Sequence, residues 1–168
     1  MGIAERFATI MKANINDLLE TGGPLKNFDE LIGELKGAVG EAEQETSVLE
    51  AAEKRAKEAY DAAVAKIKEQ QEAAKRALLA GNQGDARKSL AEKVQLEQKV
   101  GGLEAAYKTA KENADKMRAM RDQMAVMLQA KQAEIDAVAE RYEMAAYKEK
   151  IDDAVEAELA ALKESLKL

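Results

Sequence analysis

The sequence predicts an all-α protein with an N-terminal amphipathic helix, a long antiparallel coiled-coil hairpin and a further C-terminal helix. Of its 168 residues, 35% are charged and 4% aromatic, with one proline and no tryptophan. That composition cannot fill an ordinary globular core with bulky side chains, but it suits long helices. Apolar residues also recur in steps of three and four over two long stretches, which indicates helices that pack along a heptad seam.

The first predicted element is an amphipathic helix over residues 1–21. Its apolar side chains fall on or beside one third of the helical circumference, as in a helix that lies on a surface. We take these residues as the candidate membrane-binding set: Ile3, Phe7, Ile10, Met11, Ile15, Leu18 and Leu19. The alternative is that the same stripe packs on the hairpin or on another subunit.

Residues 22–27 are predicted to form a linker, because Gly22, Gly23 and Pro24 end one helix and permit another to begin. The hairpin is predicted over residues 28–147. The seam of its first arm begins with Phe28, Ile32, Leu35, Val39, Ala42, Thr46 and Leu49 and continues through Ala52, Ala56, Ala59, Ala63, Ile67, Ala74 and Leu78. The repeated step of three at Ala52 indicates a local break in the heptad pattern.

A glycine-rich segment predicts the reversal of the hairpin at residues 81–85. The loop residues are Gly81, Asn82, Gln83, Gly84 and Asp85, and Asp85 is placed to cap the following helix. No strand or Gly-Lys-Ser/Thr element accompanies them, so the segment is a turn and not a phosphate cradle.

The second arm is predicted to run antiparallel to the first, because a short loop joins two helices of similar length. Its seam contains Leu90, Val94, Leu103, Tyr107, Ala110, Ala114, Met117, Met120, Met124, Met127, Ile135, Val138 and Tyr142. The methionines fit a core seam better than an adaptable partner-binding surface. Gly101 and Gly102 interrupt the pattern, either as a hinge or to admit a closely packed neighbour.

Residues 148–168 are predicted to form the C-terminal helix, with Ile151, Val155, Leu159 and Leu162 on one stripe. An alanine-rich hairpin buries little area per residue, so its stability as a single copy would be modest. We therefore expect lateral self-association, in a dimer or a filament.

The residue composition argues against catalysis and against metal binding. With no histidine and no cysteine, the commonest general base and the soft metal ligands are absent, and no carboxylate pair stands out from the charged background. We therefore expect no catalytic residue, no metal site and no cofactor. A net charge of −6 and a pI near 5.0 disfavour nucleic acid as a partner.

No membrane span or signal peptide is expected. The longest apolar candidate, residues 117–130, is broken by Arg118, Arg121 and Asp122. The first helix carries Asn14, Asn16 and other polar residues where a signal peptide would need an apolar run. Cytoplasmic residence is therefore the expected location.

Two motifs resemble the family of phage shock protein A and the vesicle-inducing protein in plastids. The first is Met1-Gly2-Ile3, Arg6-Phe7, Ile10, Asn14-Ile15-Asn16 and Leu18-Leu19, and the second is Ala77-Leu78-Leu79, Asp85-Ala86-Arg87, Leu90-Ala91-Glu92-Lys93 and Leu96. The segment Lys148-Glu149-Lys150-Ile151-Asp152 is similar to a later helix of the family.

The resemblance implies an ESCRT-III-like fold whose subunits build rods or rings and bind, protect or remodel membranes at the inner face of the cell membrane. The sequence departs from the family pattern where Gly22-Gly23-Pro24-Leu25 replaces an acidic-proline element, and its tail is expected to end early relative to typical members. The expected partners are further copies of the chain, membrane lipids and a protein regulator. The alternative function is a soluble coiled-coil adaptor that binds a protein partner through its first helix and hairpin.

Overall fold

The computed structural model describes residues 2–13 and 24–166, which form three α-helices. Helix α1 spans Ile3–Met11, α2 spans Pro24–Leu79 and α3 spans Gln83–Leu166, with no strand in the described ranges. The predicted all-α class is therefore confirmed. Residues 14–23, which hold Ile15, Leu18, Leu19 and the glycine pair of the predicted linker, lie outside the described residues.

Two helix boundaries differ from the predicted ones. Helix α2 begins at Pro24, four residues before Phe28, because proline at a first helical position loses no hydrogen bond and already has a helical φ. Helix α3 continues through residue 148 to Leu166, so the predicted C-terminal helix is the end of α3. Residues 141–150 contain neither glycine nor proline to stop it.

The chain divides into two compact units. The first unit contains α1, residues 24–39 of α2 and residues 123–166 of α3, and the second contains residues 40–122. Side chains with no more than 8% exposure define the apolar core of the first unit: Phe7, Phe28, Leu31, Ile32, Leu35, Ala38, Val39, Met124 and Ile135. All three helices therefore contribute to this core.

The second unit is an antiparallel helical hairpin. Tyr60 of α2 stacks on Tyr107 of α3 with ring centroids 6.4 Å apart. Closer to the connection, Gln70 Nε2 donates to Glu92 Oε2 over 2.7 Å. Because the α2 partner moves forward along the chain as the α3 partner moves backward, the two arms run in opposite directions.

Arg118 ties the two arms together in the second unit. Its guanidinium donates to Glu50 Oε1 at 2.7 Å and to Glu53 Oε2 at 2.6 Å, and also to Asp115 of its own helix. The hydrogen bonds that Glu50 and then Glu53 accept from the guanidinium raise the pKa of Arg118 further above its usual value. These hydrogen bonds join Arg118 of α3 to two successive turns of α2 and fix the register between the two helices.

The predicted seam agrees with burial in the early part of α2 and differs nearer the connection. Phe28 through Thr46 are buried at every predicted position, but Ala59 is exposed and the half-buried residue beside it is Tyr60. On α3, Leu90 and Val94 are exposed, and the less exposed positions are Ser89, Lys93 and Leu96.

The tightness of the connection explains this change of register. The buried residues nearest to it are Ala74 and Ala86, each 2% exposed. Small side chains let two helices approach closely enough to be joined by a few residues. The larger side chains of Leu78, Leu79, Leu90 and Val94 then remain on the outside.

The connection itself is shorter than predicted. Gly81 has φ of +75°, and the N–H groups of Gly81 and Asn82 donate to the carbonyls of Leu78 at 3.0 Å and Ala77 at 2.8 Å. These two bonds form a Schellman motif, in which glycine adopts the left-handed conformation at little cost.

Asn82, and not Asp85, caps α3. The Oδ1 atom of Asn82 accepts a hydrogen bond from the backbone N–H of Asp85 at 3.1 Å, and its Nδ2 donates to the Asp85 carboxylate. Gln83, Gly84 and Asp85 therefore lie in the first turn of α3 and not in a loop. The earlier cap follows from asparagine being at least as good an N-cap as aspartate.

Candidate lipid-contacting site

Helix α1 is short and capped at both ends. The N–H of Gly2 donates to Glu5 Oε2 at 3.1 Å, which satisfies one of the donors that a helix start leaves unpaired. At the other end, Lys12 and Ala13 donate to the carbonyls of Thr9 and Ile10 in a tightened last turn. These bonds define a nine-residue helix.

The described part of the candidate set shares one face of α1. Phe7 is buried at 2% exposure, and Ile3, Ile10 and Met11 are half-buried. The opposite side carries the exposed residues Glu5, Thr9 and Lys12. The amphipathic pattern is therefore present, and its apolar face is turned toward the protein. The other three members, Ile15, Leu18 and Leu19, fall outside the described residues.

A lysine that the sequence patterns did not single out contacts the end of α1. Lys131 Nζ lies 3.4 Å from the carbonyl oxygen of Ala13 and 3.1 Å from Glu134 Oε2. The Lys131 side chain is only 9% exposed. Its spacing was a usable signal, because Lys131 falls seven residues after Met124 and therefore occupies the same heptad position.

A second apolar surface lies on the last part of α3. Every described residue from 147 onward is exposed. The larger apolar side chains of this segment fall within about a third of the helical circumference: Met144, Tyr147, Ile151, Val155, Leu159, Leu162 and Leu166. We call these seven residues the tail stripe. The sequence pattern predicted the later members of this stripe, but Met144 and Tyr147 were not among the predicted residues.

The hairpin tip exposes a third group of apolar side chains. Leu79 is 89% exposed, and Leu78, Leu90 and Val94 are also exposed. Eight basic and five acidic side chains lie between residues 66 and 99, a balance of +3, whereas the segment 141–166 has four basic and seven acidic side chains, a balance of −3. The tip and the tail stripe therefore differ in the sign of their surrounding charge.

The methionine series divides between core and surface. Met117 and Met124 are buried in the second and first unit respectively, which fits a core seam at these two positions. Met120 and Met127 are half-buried, and Met120 lines a shallow groove with Leu49, Asn113 and Lys116.

Gly101 and Gly102 lie in the uninterrupted interior of α3. Both are exposed, and a Cβ atom added at either position would meet nothing within 4 Å in the described chain. No packing neighbour there accounts for the two glycines, and the hinge remains a prediction.

Replacing both glycines by alanine is expected to stabilise the second unit by about 2 kcal/mol, because each glycine costs about 1 kcal/mol in a helix interior. Thermal unfolding followed by circular dichroism measures the change. Gly81→Ala is the control with the opposite expected sign, because alanine is strained at a φ of +75°. An unchanged or lower melting temperature for the double variant would contradict the expectation.

The described residues show no candidate metal site. No group of three or more histidine, cysteine, aspartate or glutamate side chains in that part of the chain could hold a metal ion. Within the same residues, no helix is both long and apolar enough to cross a membrane.

Comparison with known proteins identifies the family. The model of the PspA/IM30 family matches residues 2–164. A phage shock protein A homolog from Bacillus subtilis is 39% identical over 125 residues, which cover 74% of this chain and 55% of that protein. The chain thus spans little more than half the length of this relative. Because the family match includes α1, the hairpin and nearly all of α3, the chain belongs to the PspA/IM30 family.

Proposed function

We propose that this protein assembles with copies of itself on the inner face of the cell membrane and protects or remodels the bilayer there, with α1 as the element that enters the lipid. The observation that carries this proposal is the apolar face of α1, on a short capped helix at the N-terminal end of the family match. The similarity to a phage shock protein A homolog supports it.

The lipid contact is expected to depend on apolar insertion more than on charge. Over residues 2–13 the side chains sum to +1, from Glu5, Arg6 and Lys12, and such a balance attracts anionic lipid only weakly. Phe7, Ile10 and Met11 would enter the boundary between headgroups and acyl chains. Ile15, Leu18 and Leu19, which the sequence adds to the candidate set, are proposed to contact lipid with them. Many copies acting together would raise the overall affinity.

Self-association is proposed to use the tail stripe and the hairpin tip. Contiguous exposed apolar side chains can mark interaction surfaces in soluble proteins. The acidic balance around the tail stripe complements the basic balance around Leu78 and Leu79 at the tip of another copy. Repetition of this contact between successive copies is heterologous and would give rods or rings. A further protein regulator would bind the assembled form, and no covalent chemistry, cofactor or nucleic acid is needed.

The second candidate is a soluble adaptor that holds a protein partner. It is favoured by one observation, the burial of Phe7 at 2% exposure, because a stripe that packs in protein does not require lipid. An adaptor would bind its partner equally well without vesicles.

Vesicle sedimentation of two glutamate variants tests the membrane proposal. Phe7→Glu should lose binding to phosphatidylethanolamine–phosphatidylglycerol vesicles, because a carboxylate cannot enter the apolar part of the interface. Thr9→Glu adds the same charge on the exposed side of α1 and should keep most of the binding. Equal binding by both variants and the unaltered chain would overturn the proposal and favour the adaptor.

A further inference from the structure

The face of α1 that is proposed to enter lipid is inside the protein in this structure. Phe7 belongs to the same buried set as Phe28 and Leu35 of α2 and Ile135 of α3, and all four lie in the first compact unit. One face of a helix cannot pack in this core and insert into a bilayer at the same time. The described arrangement is therefore a closed state with respect to lipid.

Lys131 occupies an unusual place in this closed state. The described residues with buried polar or charged side chains are Thr46 and Lys131, and only the lysine is charged. Thr46 satisfies its hydroxyl within its own helix, by donating to Ala42 at 2.7 Å. Lys131 pairs with Glu134 of its own helix at 3.1 Å and also reaches another element, with its Nζ 3.4 Å from the carbonyl oxygen of Ala13 at the end of α1.

Electrostatics explains how this lysine affects docking. The C-terminal end of a helix carries partial negative charge on its carbonyl groups, which favours a nearby cation. Burial of an ammonium group nevertheless costs free energy, which the contact of 3.4 Å with one carbonyl and the ion pair of 3.1 Å with the exposed Glu134 compensate only in part. When α1 leaves, the ammonium returns to water. A lysine at this seam position therefore permits docking but makes it weaker than an apolar side chain would.

We propose that docking of α1 against the first unit is an autoinhibitory contact whose strength is set by Lys131. The closed state buries Phe7 and covers part of Ile10 and Met11, and the open state presents all three to a lipid surface. The buried lysine limits the preference for the closed state, so that roughly a tenth of the molecules are open and a membrane with packing defects can shift the equilibrium. This inference rests on the proposed function of α1 as the lipid-binding element.

The proposal gives opposite expectations for two substitutions of one residue. The apparent dissociation constant for lipid equals the intrinsic constant divided by the open fraction. Lys131→Glu places a carboxylate beside the Ala13 carbonyl and beside Glu134, which should open α1. Lys131→Met removes the buried charge and keeps an unbranched chain of similar length, which should hold α1 closed.

The experiment measures binding of the full chain to small phosphatidylcholine–phosphatidylethanolamine vesicles, together with hydrogen exchange at the amides of α1. Lys131→Glu is expected to lower the half-saturating lipid concentration by roughly tenfold, and Lys131→Met to raise it by a few-fold. Exchange in α1 should be faster in the first variant and slower in the second. Lys36→Glu is the matched control, since Lys36 is an exposed lysine of the same unit outside the segment of the tail stripe and should leave both measurements unchanged.

The outcomes separate this inference from the proposed function. If Phe7→Glu loses vesicle binding but both Lys131 variants bind like the unaltered chain, α1 binds lipid without an inhibitory contact, and the inference is overturned. If no variant affects binding, the proposed function fails as well. If Lys131→Glu loses helical structure, the decreased binding and slower exchange expected of Lys131→Met still decide the question.

Discussion

Replacing Leu159 and Leu162 by glutamate is expected to abolish self-assembly while each chain remains folded. Both side chains are exposed, at 42% and 57%, so neither supports the core of its own unit. Burial of a leucine at an interface is worth about 1.5–3 kcal/mol, and a buried unpaired carboxylate adds a further penalty. Each contact between copies should therefore weaken by at least two orders of magnitude, since about 1.4 kcal/mol is a factor of ten.

Sedimentation velocity and negative-stain electron microscopy measure the loss, and circular dichroism checks that helical content is kept. The matched control is Ala157→Glu with Ala160→Glu, which adds the same charge at exposed positions on the other side of the helix. Loss of assembly in both double variants would point to net charge as the cause. Intact assembly with glutamate at positions 159 and 162 would exclude the tail stripe as a contact surface.

Leu35→Ala is expected to destabilise the first unit by about 2–5 kcal/mol, the usual cost of truncating a buried leucine. Leu35 is fully buried at 0% exposure, so its truncation leaves a cavity in the core of the first unit. Equilibrium urea unfolding, followed at 222 nm by circular dichroism, measures the free energy of unfolding.

Val48→Ala serves as the control for Leu35→Ala, because it also truncates an aliphatic residue of α2, at a position that is 64% exposed. Its free energy of unfolding should stay within about 0.5 kcal/mol of the unaltered chain. A cost below about 1 kcal/mol for Leu35→Ala would mean that the core does not depend on this residue.

The helical architecture could be predicted because each part of its pattern agrees with the others. Positions from Phe28 to Thr46 repeat in steps of four and three, and the structure buries all of them. The reversal could be predicted from Gly81, which supplies the left-handed conformation that a helix end favours. Periodicity and helix-ending residues are local patterns, and such patterns can be recognised in a single sequence.

The cap of α3 and the buried positions near the connection could not be predicted, because neighbouring residues suit these roles almost equally well. Asn82 and Asp85 are both good caps, and only the Schellman bonds to Leu78 and Ala77 show that the chain turns before Asn82. The one-residue changes from Ala59 to Tyr60 and from Leu90 to Ser89 follow from how closely the two arms approach. Such distances are set by tertiary packing, which sequence periodicity does not specify.

The candidate site was predicted in part. Helical spacing predicted the stripe of Ile3, Phe7, Ile10 and Met11. Whether this stripe packs on protein or on lipid depends on a small difference in free energy, because both environments remove apolar side chains from water. Spacing alone cannot decide that balance. Lys131 was not predicted to be buried, because a lysine side chain is ordinarily exposed. Its heptad position nevertheless indicated a buried side chain.

The measurement that tests the central claim most directly is quenching of a fluorophore on α1 by nitroxide groups in the lipid acyl chains. The chain has no native cysteine, so Ile10→Cys and Thr9→Cys each give one labelling site, on the apolar and the exposed side of α1 respectively. If the apolar face enters the bilayer, vesicles should quench the label at position 10 strongly and the label at position 9 weakly. Absence of quenching at position 10, in protein that sediments with the vesicles, would contradict the claim that α1 is the membrane-binding element.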